Sequence, residues 1–463
     1  MNRRAFLQSV AAAAAFPQAG ADRPNIILLV TDDQRWDSLG CMGNPIVKTP
    51  HIDRLSANGV TFTNNFVTTS ICMTSRASIF TGLYARTHKI YDFQTSLAPD
   101  LYARSYPMLL RQAGYYTGFI GKYGVGRTMP KGDYDYWRGF PGQGQYFPND
   151  AGGRHLTPIM GSQALEFLRG APKGRPFCLS VSFKAPHVQD ESPLQFLYDP
   201  ALEHLYHDIA IPPPRLGDTK WLEALPDPVH RSEIRRRWVV RFSTPRLYQE
   251  SVKAYYRLIS GVDAEVGRIM AELRQTGADR NTVVIYTADN GFYLAERGLA
   301  GKWLMHEESI RTPMIVHDPR MPNGARGKRI PQMTLNLDVA PTMLALAGVR
   351  PIPKMQGRDL GPLMRGQTSG WRDEWYYEQL FDAAGWIPPV EGVRNERWKF
   401  ARFTGMQKPF EELYDLRADP GEEKNLAGEP TAQERLTQMR ARWETWRKHI
   451  DGWDMARDWS DPV

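Results

Sequence analysis

The chain has 463 residues, of which 42% are hydrophobic and 24% charged. That balance excludes a disordered or fibrous protein and allows a sizeable core in more than one folding unit. The formal net charge of +7 favours anionic ligands, but no nucleic-acid-binding motif accompanies it, so no nucleic-acid partner is expected. Three cysteines, at positions 41, 72 and 178, are too few and too odd in number for a disulfide framework.

The first residues form a separate unit. Asn2-Arg3-Arg4-Ala5-Phe6-Leu7-Gln8 is followed by an alanine-rich apolar stretch and by Ala19-Gly20-Ala21, the layout of an export signal. The paired arginines ahead of Phe-Leu resemble a twin-arginine signal, which is an address and not an anchor. The expectation is export to the periplasm or the exterior, with residues 1–21 outside the folded protein. No later apolar run approaches membrane-spanning length, so no membrane span is expected.

Next comes Asn25-Ile26-Ile27-Leu28-Leu29-Val30, a continuous apolar run that predicts a strand buried on both faces and stops at Thr31-Asp32-Asp33. The alternating run from Phe177 to Phe183 makes Cys178 a small core residue. Arg231, Arg235, Arg236, Arg237 and Arg241 cluster in a manner that predicts a solvated helix face. From Lys253 to Gly277 an apolar stripe (Tyr256, Ile259, Val262, Val266, Ile269, Leu273) predicts a helix that Gly277 ends. A second buried strand, Thr282-Val283-Val284-Ile285-Tyr286, stops at Thr287-Ala288-Asp289-Asn290-Gly291. Helical stripes alternating with buried strands imply an α/β domain with a largely parallel sheet. The two acidic strand ends then meet at its carboxyl edge.

From about Ile352 the texture changes. Pro351, Pro353 and Pro362 punctuate a loop-rich connection, followed by Trp371, Trp375, Tyr376 and Tyr377. Glu391–Arg394 and Trp398–Arg402 read as short antiparallel strands, with a final helix starting near Thr431. The expected organisation is a signal at 1–21, a catalytic α/β domain at 22–365, and a smaller C-terminal α+β domain at 366–463.

The stretch from Thr69 to Gly82 carries the chemistry. Ser70 is predicted to cap a helix whose first turn holds Cys72, where free N–H groups favour an anion. Arg76 lies one turn on, with a planar fork suited to a tetrahedral oxyanion.

Cys72-Met73-Thr74-Ser75-Arg76, followed by Ala77-Ser78 and Thr81-Gly82, resembles the signature of the formylglycine-dependent sulfatases of the alkaline phosphatase superfamily. The resemblance extends over nearly the whole chain after the signal. It includes Pro24 to Asp33, Thr49 to Leu55, Thr287 to Gly291, Arg311-Thr312-Pro313 and Glu412 to Leu416. Among the branches of that family, the sequence is similar to those desulfating sugars, such as N-acetylglucosamine-6-sulfatases, and to arylsulfatases. The resemblance implies an alkaline-phosphatase-like large sheet sandwiched by helices. It also implies a formylglycine nucleophile derived from Cys72 by a formylglycine-generating maturation enzyme, and a Ca2+ ion, with Mg2+ second. Asp32, Asp33, Cys72, Asp289 and Asn290 match the metal ligands, a hard set suited to such ions. Arg76, Lys122 and Lys302 match the cations around the sulfate, and His187 matches the histidine placed to protonate the leaving alcohol. His306 follows Lys302 closely and is assigned to the sugar.

Two positions depart from the pattern. Thr74 stands where the signature has proline, and Lys122-Tyr123-Gly124 lacks the histidine of Lys-x-His, leaving His88 or His306 to take its place. The implied activity is hydrolysis of a sulfate ester on a sulfated carbohydrate or aryl sulfate. The alternatives are a phosphodiesterase or phosphonate hydrolase of the same superfamily, or an inactive relative that binds sulfated glycans. Specificity is expected from the loops between Gln189 and Gln249, the C-terminal domain and the segment around Trp386.

Overall fold

The computed structural model describes residues 23–350, 352, 354–381 and 386–453. The export signal read at 1–21, and Pro351 and Pro353, lie outside the described residues.

Asn25–Thr31 (β1) runs through the middle of the main sheet. The other strands of the catalytic region are β2 (Val60–Phe66), β3 (Tyr116–Lys122), β4 (Tyr136–Phe140), β5 (Phe177–Ser182), β6 (Thr282–Ala288), β7 (Tyr293–Leu294), β8 (Ala300–Gly301), β9 (Arg311–Thr312), β10 (Met314–His317) and β11 (Lys328–Leu335). Their order is β11-β2-β10-β6-β1-β5-β3-β4, with β9 on β2 and the short pair β7-β8 apart. β6, β1, β5, β3 and β4 are parallel, whereas β10 runs antiparallel to both neighbours. Ile26, Leu28 and Val30 enter one core and Ile27 and Leu29 the other, so β1 is buried on both faces, as its unbroken apolar run predicts.

Helices cover both faces. The ones that matter here are α1 (Pro50–Ala57), α2 (Cys72–Thr81), α3 (Leu156–Gly170), α4 (Glu233–Phe242), α5 (Pro245–Thr276), α6 (Val339–Leu346) and α7 (Gln433–Asp451). α3 and α5 pack Phe167, Val262, Val266 and Ile269 against Ile27, Leu29 and Val284. α2 and α6 pack Ala77, Phe80, Met343 and Leu344 on the opposite face. α5 starts eight residues before Lys253, where the stripe predicts the helix to begin; Thr244 Oγ1 accepts from the Leu247 N–H and Pro245 occupies the first turn. That first turn is largely exposed, so it left no stripe to read. Gly277 (φ 72°) closes the helix as expected.

Two local readings are corrected. Ser70 does not cap α2: Ile71 is the N-cap residue, and Ser70 Oγ donates to the Ser309 carbonyl at 2.7 Å. The arginine cluster is not a solvated face, because Arg237 and Arg241 are buried. Each is bonded to a carboxylate.

A second sheet, β12 (Glu374–Gln379), β13 (Val390–Asn395), β14 (Trp398–Phe403) and β15 (Phe410–Asp415), is antiparallel in sequence order, with α7 packed on it. β13 and β14 lie where the sequence places them. β12 is buried along its whole length and shows no alternation to betray it. Trp375 stacks on Phe66 with centroids 5.2 Å apart, and Tyr377 Oη donates to the Trp303 carbonyl at 2.6 Å. Lys399 Nζ lies 2.8 Å from Glu307 and 2.5 Å from Glu422. The small sheet thereby braces the loop that carries Lys302.

Candidate active site

β1 and β6 are neighbours in register, with Thr31 opposite Ala288, so Asp32 and Asp289 leave the sheet side by side. Asp33 adopts a left-handed backbone (φ 63°), an uncommon conformation for a residue with a Cβ and one that collects at functional sites. Its N–H donates to Asp289 Oδ1 at 3.2 Å, and its carbonyl accepts from Tyr255 Oη at 2.8 Å. Cys72, the first residue of α2, points Sγ at Asp32 Oδ1 (3.5 Å) and receives Lys302 Nζ at 3.0 Å. Lys302 Nζ also binds Asp33 Oδ1. Lys122, at the end of β3, places Nζ 2.5 Å from Asp32 Oδ2 and 2.6 Å from Gln143 Oε1. His187 follows β5 and directs Nε2 towards Asp33 Oδ2 at 3.6 Å, while Nδ1 lies 2.6 Å from the Val188 carbonyl. The carbonyl can only accept, so Nδ1 carries its proton and Nε2 is the nitrogen presented to the site.

Arg76 is committed more heavily than the sequence suggests. Nε donates to Asp289 Oδ2 at 2.8 Å and Nη2 to Asp32 Oδ2 at 3.1 Å. Nη1 donates to the Lys122 carbonyl at 2.6 Å and to Ser182 Oγ. Four of its five N–H groups are thus used within the protein, leaving one on Nη2 for a ligand.

Three buried carboxylates face three buried cations. The cations do not serve the carboxylates equally. Burial pushes Asp32 up, but the charges of Lys122, Arg76 and Lys302 together hold it well below the usual carboxylate range. Burial raises Asp33, and burial followed by the charge of Asp32 raises Asp289 to about 6. Burial, then Asp32, pushes the Cys72 thiol up to about 11, which keeps it protonated and a poor nucleophile. Burial also holds His187 neutral.

The donor atoms fit a hard cation. Asp33 Oδ2 and Asn290 Oδ1 are buried and have no hydrogen-bond partner. Asn290 cannot turn its oxygen away, because Nδ2 donates to Asp33 Oδ1 at 2.6 Å and to the Gly291 carbonyl at 2.8 Å. Ligand atoms of Asp32, Asp33, Cys72 and His187 all lie within 4.8 Å of one another. A divalent ion with oxygen ligands would satisfy such orphaned oxygens, which lie beside carboxylates raised by burial.

A family pattern described as Sulfatase matches residues 24–349. This chain belongs to the sulfatase family. It is a sulfuric ester hydrolase of the alkaline phosphatase superfamily. A second pattern, the C-terminal part of N-sulphoglucosamine sulphohydrolase, matches residues 295–449. The N-acetylglucosamine-6-O-sulfatase of Bacteroides thetaiotaomicron is 28% identical, over 93% of this chain and 87% of that one. A solved structure in complex with its substrate D-glucosamine-2-N,6-O-disulfate superposes with a TM-score of 0.80 at 25% identity, covering 95% of this chain and 100% of that one. The phosphonate monoester hydrolase of Agrobacterium radiobacter shares the fold, with a TM-score of 0.79 at 22% identity over 92% and 96% of the two chains.

In this sulfatase the residues that depart from the family pattern have structural reasons. Gly124 has φ +76°, and a Cβ there would sit 2.6 Å from Arg76 Cδ, so the space of the expected histidine is filled by Arg76. Thr74 Oγ1 donates to the Ile90 carbonyl at 2.9 Å and ties α2 to the following loop. The roles assigned to His306 and His88 are corrected. His306 is fully buried, with Nδ1 2.6 Å from Tyr293 Oη and Nε2 3.2 Å from Glu412, so neither nitrogen is left for a sugar. His88 is buried between Ser78 Oγ (3.1 Å) and the Ile90 N–H (3.1 Å), and burial holds it neutral. Sequence reasoning missed Gln143 and Ser182, which hold Lys122 and Arg76. It also missed Lys184, whose Nζ donates to the Val188 carbonyl at 3.0 Å. Only Lys184 left a signal, as a cation three residues before His187 in an otherwise apolar segment.

Proposed function

We propose that this sulfatase removes sulfate from a sugar or glycan, using a formylglycine made from Cys72 by a maturation enzyme and a Ca2+ ion held by Asp32, Asp33, Asp289 and Asn290. The observation that carries the reading is the pair of unpartnered buried oxygens, Asp33 Oδ2 and Asn290 Oδ1, beside a thiol that burial keeps protonated. Formylglycine would supply two hydroxyls on one carbon, and the ion would supply neutralising charge through its oxygen ligands; Ca2+ tolerates an irregular set of oxygens better than Mg2+ does.

The rest of the work belongs to the side chains. Arg76 holds Asp32 and Asp289 ionised and in place. Lys122 and Lys302 fix positive charge beside position 72, where they can hold the oxygens of the transferring sulfate in place while the electron pair of the breaking S–O bond goes to the leaving oxygen. His187, tied by Nδ1 to the Val188 carbonyl, presents a neutral Nε2 beside the leaving oxygen; it accepts a proton there first and then passes that proton to the departing oxygen. The carbohydrate substrate is supported by the relatives, among them an N-acetylglucosamine-6-O-sulfatase. The fold shared with phosphonate monoester hydrolases and the absent histidine at 124 favour phosphonate or phosphodiester hydrolysis as the second reading.

We also propose export by the twin-arginine route and a domain boundary near residue 365. No helix among the described residues is long and apolar enough to cross a membrane.

The test is chemical. Protein made with a formylglycine-generating enzyme is expected to carry an aldehyde at position 72 by peptide mass spectrometry. Hydrolysis of sulfate esters should rise with the converted fraction and exceed that of matched phosphate and phosphonate esters. Equal rates from wholly unconverted protein, or preference for phosphorus, would remove the proposal.

A further inference from the structure

The arginines of α4 turn inward beside the site. Arg237 and Arg241 stand one helical turn apart, and both reach Asp190, Arg237 Nη2 at 3.1 Å and Arg241 Nη2 at 2.6 Å. Asp190 lies three residues after His187. On its other side Arg237 lies over the rings of Trp303 (5.2 Å) and Trp386 (5.7 Å), and Trp303 directly follows Lys302. The two guanidiniums therefore join the two loops that carry His187 and Lys302, while the reacting groups themselves are bonded elsewhere.

Hydrogen bonding in this wall is one-sided. Arg241 is 1% exposed; its Nε donates to Gln195 Oε1 at 2.9 Å, but Nη1 has no acceptor. Trp303 Nε1 is likewise buried without an acceptor. Both groups can only donate. Arg236, Arg237 and Arg241 share two carboxylates, Glu233 and Asp190, so positive charge is left over. Burial, then the like charge of Arg237, lowers Arg241 to about 9. A purely structural arginine in the interior is normally saturated with acceptors. Here the shortage is of acceptors and of negative charge, and it lies on the wall of a site built for a sulfated molecule. The Asp190 side chain, 37% exposed, marks where the wall opens to solvent.

We propose that Arg237, Arg241 and the Trp303 indole N–H form a second anion subsite, which takes a further sulfate or a carboxylate on the sugar that bears the scissile sulfate or on its neighbour. Trp386, half-buried, provides the apolar surface against which a sugar ring lies. The inference rests on the sulfate-ester reading and deepens it: the preferred substrate carries at least two anionic groups.

The experiment uses the mature, calcium-loaded enzyme and three substrates. They are a monosulfated hexosamine, the same sugar with a second sulfate, and the monosulfated sugar linked to a uronic acid. The wild type is expected to favour one or both doubly anionic substrates by about tenfold or more in kcat/KM, and the better of the two identifies the anion as sulfate or carboxylate. In Arg237→Gln and Arg241→Gln that preference ratio should collapse, mainly through KM, and its dependence on salt should weaken. Arg237→Lys should recover part of it by restoring charge without the fork. If Arg241→Gln does not fold, the Arg237 pair decides alone. A wild type indifferent to the second anion overturns the proposal. So does a variant that loses all substrates in the same proportion, the mark of a structural role. Wild-type hydrolysis of none of the three removes the underlying reaction, and the subsite with it.

Discussion

Restoring the family's histidine by Gly124→His should damage this enzyme. A Cβ at 124 would lie 2.6 Å from Arg76 Cδ and 3.2 Å from Nε, where unstrained contacts need roughly 3.5 Å or more. The guanidinium must therefore move by about 1 Å. A non-glycine residue at φ +76° costs about 1–2 kcal/mol. Disrupting the buried pairing of Arg76 with Asp32 and Asp289 costs about 3–5 kcal/mol more. The sum is comparable with the whole stability of an ordinary domain, about 5–15 kcal/mol, so a fall in Tm of several degrees is expected even after relaxation. Displacing one charged donor from a transition-state site lowers kcat by about 10²–10³-fold. Gly124→Ala separates backbone and contact effects from those of the imidazole and should lose less of both. The assays are thermal unfolding and steady-state kinetics on a simple aryl sulfate. A Gly124→His enzyme with wild-type kcat/KM and unchanged Tm would refute the reasoning, because Arg76 would then not need the space.

Two further outcomes are expected. Asp33→Asn should weaken Ca2+ binding about tenfold or more by titration calorimetry on protein that still carries the Cys72 thiol, so the result does not depend on turnover; an unchanged affinity would remove Asp33 as a ligand. Asp263 accepts the Ile52 and His51 N–H groups at the start of α1 (2.7 and 3.0 Å), and burial raises its carboxyl from 3.8 to about 7. The folded state thus holds a proton that the unfolded chain releases, and this contribution is present below pH 3.8 and lost as pH rises through about 7. Asp263→Asn keeps an acceptor for both N–H groups and should flatten the fall in Tm across that window; parallel Tm profiles would contradict it.

The strands that frame the site, and the residue types able to do chemistry there, are legible in the local pattern of residues. Asn25–Val30 and Thr282–Tyr286 are apolar without a break, and such a run has one comfortable place, inside a sheet covered on both faces. Acids at their ends cannot follow them into that core, so Asp32, Asp33, Asp289 and Asn290 had to emerge at its edge. The spacing of Cys72 and Arg76 likewise put them one turn apart wherever the helix went. Which charge meets which is set by long-range packing. That Arg76 is spent on Asp289, 213 residues away, and on Ser182 depends on β1, β5 and β6 lying side by side. Local pattern carries no information about such pairing. The same holds for Arg237 and Arg241, and for His306. Charge in a sequence suggests exposure, yet a long polar side chain is buried at tolerable cost once a carboxylate or carbonyl arrives from elsewhere in the chain to meet it.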